Sequence, residues 1–572
     1  MRFLIAAGLL VLSLLALLFG IAERTVWAPP ANYTKVLELD GKQPLVIVPN
    51  EVLRMYPGIP TISAQGAKGS FISTGRESDV RAWIGAAGHQ SLEIDETGTQ
   101  LVALSTDGIA NLDKTAGSDL WRAESSTEDK TSTSLRVIPS KDAAALIASD
   151  GIHASPTNLT IIWPIKHDLI WSNIALWVGG SLLLAALIMN VLAYQHMRIS
   201  RGPRRRTPSA PKPPKYRVKK STGNAPVRGR RSARRNFAVI PVVITILATG
   251  TGCTAVSTPS TEVSASPSPS ASAIELPPVA LVDSQITKIL ESLEKVAAEA
   301  DLTSDKKLLV PRFAGPALEQ RTAHYVLRAR SSSVAALPKI VGSPVSFSLP
   351  AATDTWPRTL MVVTDEPGTD ALPQMLVFQQ ENPRANYLLW YNMRLMPGAV
   401  IPEVPATEVG AIPVATDSLF LKLVPTDIPA AYGDVINDGP ASLSYGLFDT
   451  SKDEFYKQVS ESQKSQVEGL TKGKITFTHQ LGNKNVISLA TSTAGALVAV
   501  YMTDTYKITP KTRGSAVAVS GQEKIMLGAD GSTRGVRSIY GEMLLFYVPA
   551  LSDPDRIRLL GVTQGLLSVR SL

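Results

Sequence analysis

The pattern of hydrophobic and polar positions contains three long apolar runs, at Phe3–Ala22, about Leu169–Tyr194 and Phe237–Gly252. A helix needs about 20 apolar residues to cross a bilayer. The first two runs therefore predict transmembrane helices at residues 1–24 and 167–196, the first retained as an anchor because its apolar stretch is too long for a cleaved leader. The third run is shorter, so residues 237–253 predict either a third helix or an internal lipoprotein signal.

The charge pattern orients these segments. The formal net charge is +8, and Arg198–Arg235 holds 15 Lys and Arg without any Asp or Glu, so the rest of the chain sums to 8 − 15 = −7. Because basic loops stay on the cytoplasmic side, residues 197–236 are predicted to be cytoplasmic, and residues 25–166 and 254–572 extracytoplasmic. The basic loop is rich in Pro, Gly and Ser, which predicts disorder and contact with anionic inner-leaflet lipid. Nucleic acid is not an expected partner, because Tyr216 is its one aromatic residue.

Residues 25–166 alternate apolar and polar positions at the period of strands. The pieces YTKVLEL, PLVIVPN, SLEIDE, QLVALST and LRVIPS are separated by turn residues such as Asp40-Gly41 and Thr97-Gly98. KDAAALIAS, at residues 141–149, is the one piece with helical spacing. We therefore predict a β-rich domain tethered at both ends by membrane helices.

The C-terminal half is predicted to contain two copies of one α+β unit, at residues 281–405 and 406–572, after a Ser/Pro-rich linker at 254–280. Apolar residues at helical spacing in ITKILESLEKVAAEA predict an amphipathic helix. Two matches indicate the duplication. Gly315-Pro316-Ala317 and Gly439-Pro440-Ala441 each predict a helix start, and PQMLVFQQENPRANYLLW resembles GEMLLFYVPALSDPDRIRLLG, each read as strand, turn and strand. The order of helices followed by a curved antiparallel sheet is similar to that of cystatin-like and nuclear-transport-factor-like folds.

Cys253 is the single cysteine, so no intrachain disulfide can form. It follows an Arg-rich flank, a short apolar run and the small residues Gly250-Thr251-Gly252, and it precedes a Ser/Pro-rich tail. This order is typical of lipoprotein signals, although a glycine stands three residues before the cysteine, where a larger apolar residue is usual. Two alternatives stay open: lipidation with cleavage before Cys253, or an uncleaved third span.

The sequence predicts no catalytic, cofactor-binding or metal-ligating residues. Asp553-Pro554-Asp555 resembles the metal-binding Asp-x-Asp of sugar-nucleotide enzymes, but its counterpart in the first copy is Asn382-Pro383-Arg384. These residues are typical of a hairpin turn. The histidines have no ligand spacing, and the chain lacks a G-x-S-x-G motif, a phosphate-binding loop and a dinucleotide fingerprint.

The order of segments resembles that of uncharacterised multi-span membrane proteins of actinobacteria. Their first anchor closes on a motif like Glu23-Arg24-Thr25-Val26-Trp27-Ala28-Pro29-Pro30, and a helix with Gly-Pro-Ala-Leu opens their last domain. The resemblance implies a cell-envelope protein and assigns no functional residues. We expect a non-enzymatic membrane protein whose extracytoplasmic modules bind a cell-wall polymer or an envelope-assembly protein. The alternative is an enzyme, or a transferase subunit, that acts on lipid-linked sugars outside the membrane.

Overall fold

The computed structural model describes residues 2–28, 30–66, 69–109, 114–127, 132–149, 153–165, 169–200, 277–482 and 485–572. The basic loop, the third apolar run, Cys253 and the Ser/Pro-rich linker lie outside the described residues. The chain divides into two compact units. The helical unit contains the described residues 2–28 and 169–200, and the globular unit contains those within 29–168 and 275–572.

Up to residue 200, strands alternate with short helices between two long helices. The elements in chain order are α1 (Arg2–Thr25), β1 (Asn32–Glu38), β2 (Leu45–Val48), α2 (Asn50–Leu53), β3 (Thr61–Gln65), β4 (Ser70–Arg76), α3 (Glu77–Ile84), β5 (His89–Ile94), β6 (Leu101–Thr106), β7 (Ala123–Thr127), β8 (Thr133–Arg136), β9 (Ala143–Ala148), β10 (Asn158–Pro164) and α4 (Ile170–Ser200).

In the helical unit, α1 and α4 pack as an antiparallel pair along a stripe of small residues. Ser13 Oγ donates to the Gly179 carbonyl at 2.8 Å, and Ser172 Oγ donates to the Gly20 carbonyl at 2.7 Å. The buried small residues recur every seven positions, at Ala6, Ser13 and Gly20 of α1 and at Ser172, Gly179, Ala186 and Ala193 of α4. Small residues let helices approach closely in a bilayer. Of the described helices, α1 and α4 are long and apolar enough to span a membrane.

The first module of the globular unit, residues 29–168, is built from two sheets. One has the order β1-β10-β3-β8 and the other β6-β5-β2-β9-β4-β7, in which β2 and β5 are parallel and the remaining pairs antiparallel. The β-rich character of this module agrees with the sequence prediction.

The helix expected at KDAAALIAS is wrong, since this segment forms the inner strand β9. Ala143, Ala145 and Ile147 point into one apolar core, and Ala144, Leu146 and Ala148 point into another. A strand that is buried on both faces has apolar residues at every position, so it loses the alternation that identifies a strand.

From residue 277 onward, the chain forms two runs of helices followed by strands. The elements are α5 (Asp283–Thr303), α6 (Gly315–Arg330), β11 (Val345–Pro350), β12 (Arg358–Thr364), β13 (Gln374–Gln380), β14 (Leu388–Leu395), α7 (Ile428–Asp438), α8 (Glu454–Gly469), β15 (Gly473–Leu481), β16 (Ile487–Ala490), β17 (Ala496–Pro510), β18 (Val517–Ala518), α9 (Gly521–Leu527), β19 (Gly531–Ser532), β20 (Val536–Val548) and β21 (Arg558–Ser571). Helix α5 buries Ile286, Ile289, Leu290, Leu293 and Ala297 of the face that the helical spacing predicts, and Val296 of the same face is partly buried.

Eight strands of the two halves form one sheet with a symmetric order, β11-β12-β13-β14-β21-β20-β17-β15. Strand β16 pairs with β17 of this sheet, and β18 and β19 form a separate pair. The hairpins β13–β14 and β20–β21 meet at the centre of the symmetric order. Each has a register shift at the equivalent place, between Val377 and Phe378 in the first and between Leu545 and Phe546 in the second. A bulge shared by two matched hairpins supports the duplication independently of the sequence match.

The two Gly-Pro-Ala motifs, however, do different things. Gly315 begins α6 with a φ of 48°, and a Cβ there would lie 2.2 Å from Trp390. Gly439–Ala441 instead forms a 3₁₀ turn directly after α7. The expected helix start at Gly439 is therefore wrong, and the second helix of this copy begins at Glu454.

Two apolar helices joined to β-rich sheets give the architecture of a membrane-anchored multidomain protein. The assignment of the α+β units to a cystatin-like or nuclear-transport-factor-like fold stays a prediction.

Candidate functional site

A cleft of about 540 Å³ opens between α7, α8 and β15. This volume lies within the range of ligand sites. We call it the α7–α8 cleft. Its lining combines two aromatic rings, several amide and hydroxyl groups, one basic side chain and two acidic ones, from Ile436, Asn437, Asp438, Gly439, Tyr456, Ser460, Gln463, Lys464, Val467, Glu468 and Phe477.

Asp453 sets the wall of the cleft by capping α8. Its Oδ1 accepts from the Tyr456 backbone N–H at 2.8 Å, which satisfies a free donor of the first turn, and its Oδ2 accepts from the Tyr432 hydroxyl of α7 at 2.7 Å. One buried carboxylate thus ties the two helices together. The lining residues of α8 follow at helical spacing, so that Tyr456, Ser460, Gln463 and Val467 share one face.

The back of the cleft depends on a close contact between α7 and the sheet. A Cβ on Gly433 would lie 2.4 Å from the Cβ of His479, and a backbone-proximal atom of a paired strand has little room to move. The glycine therefore brings α7 directly onto β15.

We expect Gly433→Ala to lower the free energy of unfolding by about 1–3 kcal/mol, as overpacked sites do. Gly469→Ala is the matched control, because a Cβ at this end of α8 meets nothing within 4 Å. Urea denaturation of both variants checks this expectation. Equal stabilities would show that α7 is free to shift away from His479.

A row of polar side chains crosses the buried face of the sheet behind the cleft. His479 of β15 pairs with Asp504 of β17, and Glu542 of β20 pairs with Gln564 of β21. His479 Nδ1 lies 3.5 Å from Asp504 Oδ1, and Gln564 Nε2 donates to Glu542 Oε1 at 2.7 Å. Asp504 and Glu542 are both 0% exposed. Titratable groups are thus concentrated where water does not reach.

Burial controls the protonation of this row. It raises the pKa of Asp504 to about 7 and that of Glu542 to about 8, with the Asp504 charge adding to the effect on Glu542. Burial also lowers the pKa of His479 to about 4, so its ring is neutral at pH 7. Both oxygens of Asp504 and the Oε2 of Glu542 have no hydrogen-bond partner within the described structure. The row is therefore most stable with its carboxyl groups protonated.

The first copy of the unit differs from the second at these positions. The strand pairings align Glu542 and Gln564 with Gln374 and Arg394, and Glu366 lies two residues beyond the end of β12, the strand that matches β17. In the first copy, Arg394 lies 3.9 Å from a carboxylate that is 25% exposed. In the second copy a glutamine replaces the arginine, and no Lys or Arg pairs with Asp504 or Glu542 in the part of the chain that the structure describes. The second copy therefore holds buried neutral acids where the first copy holds an ion pair.

Gln463 connects the cleft to this row. It lines the cleft, and its Nε2 lies 3.4 Å from His479 Nε2. If Gln463 donates this contact, the ring proton sits on Nδ1, facing Asp504. A ligand that moved the Gln463 amide would thereby change the environment of the buried histidine.

The structure brings none of the sequence-highlighted groups into this site. Asp553 and Asp555 lie in the turn between β20 and β21, where Asp553 Oδ1 accepts from the Asp555 N–H at 2.9 Å. Lys422 donates to the backbone carbonyls of both residues. Cys253 lies outside the described residues. Within the described ranges, no cluster of His, Cys, Asp and Glu could hold a metal ion.

Sequence reasoning missed His479, Asp504 and Glu542. A usable signal exists for the two acids, because each interrupts a strand whose neighbours are mostly apolar or aromatic, in VYMTDTYKI and GEMLLFYV. A charge in such a strand indicates either an edge or a buried titratable group.

A family model described as "Domain of unknown function (DUF8094)" matches residues 278–571, just over half of the chain. This range contains both α+β copies and the α7–α8 cleft. No curated protein and no solved structure matches.

Proposed function

The chain belongs to the DUF8094 family, and we propose that it is a non-enzymatic, membrane-anchored binding protein of the cell envelope. In this proposal, the α7–α8 cleft holds a hydroxyl-rich wall polymer. The lining of the cleft is the observation that carries this proposal. It offers ring faces and amides together, which is the combination that a sugar ring with its hydroxyl groups can use.

The individual groups suit such a ligand. Tyr456 and Phe477 provide half-buried rings for apolar contact. Asn437 and Gln463 provide amides, which donate and accept hydrogen bonds as hydroxyl groups do. Among the lining side chains, Lys464 carries a positive charge, and Glu468 and the exposed Asp438 carry negative charges, so acidic groups outnumber basic ones. The cleft therefore favours a neutral polymer over a strongly anionic one.

A polymer segment suits the shape better than an envelope-assembly protein does. A stable protein partner contacts about 20–30 residues on each side, whereas eleven residues line this concave space of about 540 Å³. Small concave sites with a few placed polar groups are typical of small ligands and short chain segments.

The proposed location follows the charge pattern. With the basic loop on the cytoplasmic side, α1 and α4 would present the globular unit outside the membrane, where the polymer is. The α1–α4 pairing supports a retained first helix, because Ser13 and Gly20 already have partners on α4.

Retention on an insoluble cell-wall fraction tests the function. We expect the detergent-solubilised full chain to be retained, and Tyr456→Ala to weaken the apparent affinity about tenfold, since an aromatic contact contributes about 0.5–1.5 kcal/mol beyond buried area. Lys452→Ala is the matched control, because Lys452 lines a separate recess of about 460 Å³. Equal retention of Tyr456→Ala and the unaltered chain, or no retention of either, would contradict the proposal.

The second candidate is an enzyme that acts on lipid-linked sugars, and the converging Asp504 and Glu542 favour it. Raised carboxyl pKa values are a feature of general acids. Both groups are 0% exposed, however, and the cleft reaches only as far as Gln463. Asp504→Asn separates the two roles, because it should leave polymer retention unchanged and would abolish an acid-catalysed reaction.

A further inference from the structure

The second module of the globular unit, residues 275–572, is joined to the first by two buried charge centres. The first centre is Asp79 of α3, which is 2% exposed. Its carboxylate binds Arg76 of its own module at 2.9 Å and Arg358 of the second module at 2.7 Å. Arg76 in turn lies 3.4 Å from Asp354 and donates to the Val279 carbonyl at 3.2 Å. Charges from both modules thus neutralise each other away from water.

The second centre is Asp119. Arg312 of the second module donates to both of its carboxylate oxygens, at 2.6 and 3.0 Å, and the Tyr387 N–H donates to Oδ2 at 2.8 Å. Gln285 Nε2 donates to the Asp119 carbonyl at 2.8 Å. Bidentate pairs of this kind combine strength with a fixed geometry.

Apolar and aromatic contacts extend the same interface. Trp356 of the second module packs on the core that contains Trp83 and Trp121. Arg384, in the turn between β13 and β14, donates to the Trp83 and Ile84 carbonyls at 2.9 Å and lies over the Trp83 ring. The interface therefore has an apolar part, two desolvated charge centres and an arginine anchor, the composition of a stable protein–protein interface.

We infer that this interface holds the two modules together without their covalent connection through residues 169–274, and that both modules lie on one side of the membrane. Arg358 and Arg312 of the second module each bind a buried carboxylate of the first module, so separation would break two desolvated ion pairs together with the apolar contacts around Trp356. The inference concerns a surface different from the α7–α8 cleft and does not depend on what the cleft binds.

If both modules lie on one side of the membrane, the chain between them must cross the membrane an even number of times. Helix α4 follows the first module directly, and if it crosses the membrane, residue 200 lies on the opposite side. The second module contacts the first from residue 278 onward, so the chain must cross again in between. The single long apolar run in that interval is Phe237–Gly252. If the chain were cut after this run, the second module would have no membrane segment of its own.

A protease site inserted between residues 258 and 272 of the full chain, in sealed membranes, tests this inference. We expect most of the released C-terminal fragment to sediment with the membranes, and urea to release it. In Arg384→Ala, which loses the arginine anchor, we expect at least a threefold larger share in the supernatant. Arg330→Ala, whose hydrogen bonds stay within the second module, is the control. A folded wild-type fragment in the supernatant would overturn the inference.

A second experiment in the same vesicles tests whether both modules lie on one side of the membrane. A second protease site at the exposed turn Thr97-Gly98 should be cut from the same face as the linker site. Cutting from opposite faces would overturn the inference, even if the fragments stayed together.

Discussion

Asp119→Ala is expected to lower the free energy of unfolding of the globular unit by about 3–5 kcal/mol, the cost of removing one partner of a buried ion pair. Arg312 would keep its charge with an exposure of 8% and without a carboxylate. The Tyr387 N–H would also lose its acceptor. Urea denaturation of the full chain in detergent, followed by tryptophan fluorescence, measures this change, because Trp121 is buried two residues away.

Two further variants show whether the loss of stability in Asp119→Ala comes from the burial of the ion pair or from the loss of a charge alone. Asp142→Ala removes a half-exposed partner of Arg122 and should cost about 1 kcal/mol or less. Asp119→Leu combined with Arg312→Met replaces both charges by apolar groups and should recover much of the stability lost in Asp119→Ala. A cost for Asp119→Ala no larger than that for Asp142→Ala would contradict the description of Asp119 as a buried centre.

Glu542→Gln is expected to raise the stability of the protein at pH 8 and to leave it nearly unchanged at pH 4. Burial holds the folded pKa of Glu542 at about 8, against an ordinary value of 4.5. In the unfolded chain the group therefore loses its proton first, and stability falls as pH rises between these two values. A glutamine cannot ionise, can still accept the bond from Gln564, and so removes this loss, which is on the order of several kcal/mol at 1.4 kcal/mol per pKa unit.

The neighbouring groups set the rest of the pH profile. Asp504, with a folded pKa of about 7, adds a loss of stability with rising pH between about 4 and 7. His479, with a folded pKa of about 4, acts in the opposite direction and loses stability as pH falls from about 6.5. The carboxyl groups outnumber the histidine, so the net stability should fall from pH 5 to pH 8. Identical pH profiles for Glu542→Gln and the unaltered protein would contradict the buried acid pair.

Local patterns in the sequence predicted much of the fold. The hairpins with Met375 and Met543 were matched from a few apolar residues, and the structure places both in one sheet with the same bulge. The apolar runs predicted α1 and α4. The small residues that recur every seven positions along each helix, among them Ser13 and Gly179, were not recognised in the sequence. Small residues give no hydrophobic periodicity, so this signal appears only when the two helices are compared with each other.

The joining of the two modules could not be predicted. Asp79, Asp119, Arg312 and Arg358 read in the sequence as ordinary surface charges, and their partners on the other module lie at least 190 residues away. Burial of a charge is decided by tertiary contacts that no local window contains. The buried acids of the candidate site were missed for the same reason, because Asp504 and Glu542 come close together only through the pairing of β17 with β20.

Hydrogen–deuterium exchange of the full chain in lipid nanodiscs shows whether the α7–α8 cleft holds the polymer. Soluble, neutral wall-glycan chains at saturating concentration should slow exchange in peptides that cover residues 436–440, 456–468 and 475–480. Exchange at the recess around Asp449 and Arg558 should stay unchanged, and Tyr456→Ala should lose the protection. Protection confined to that recess or to the first module, or no protection anywhere at saturation, would contradict the claim.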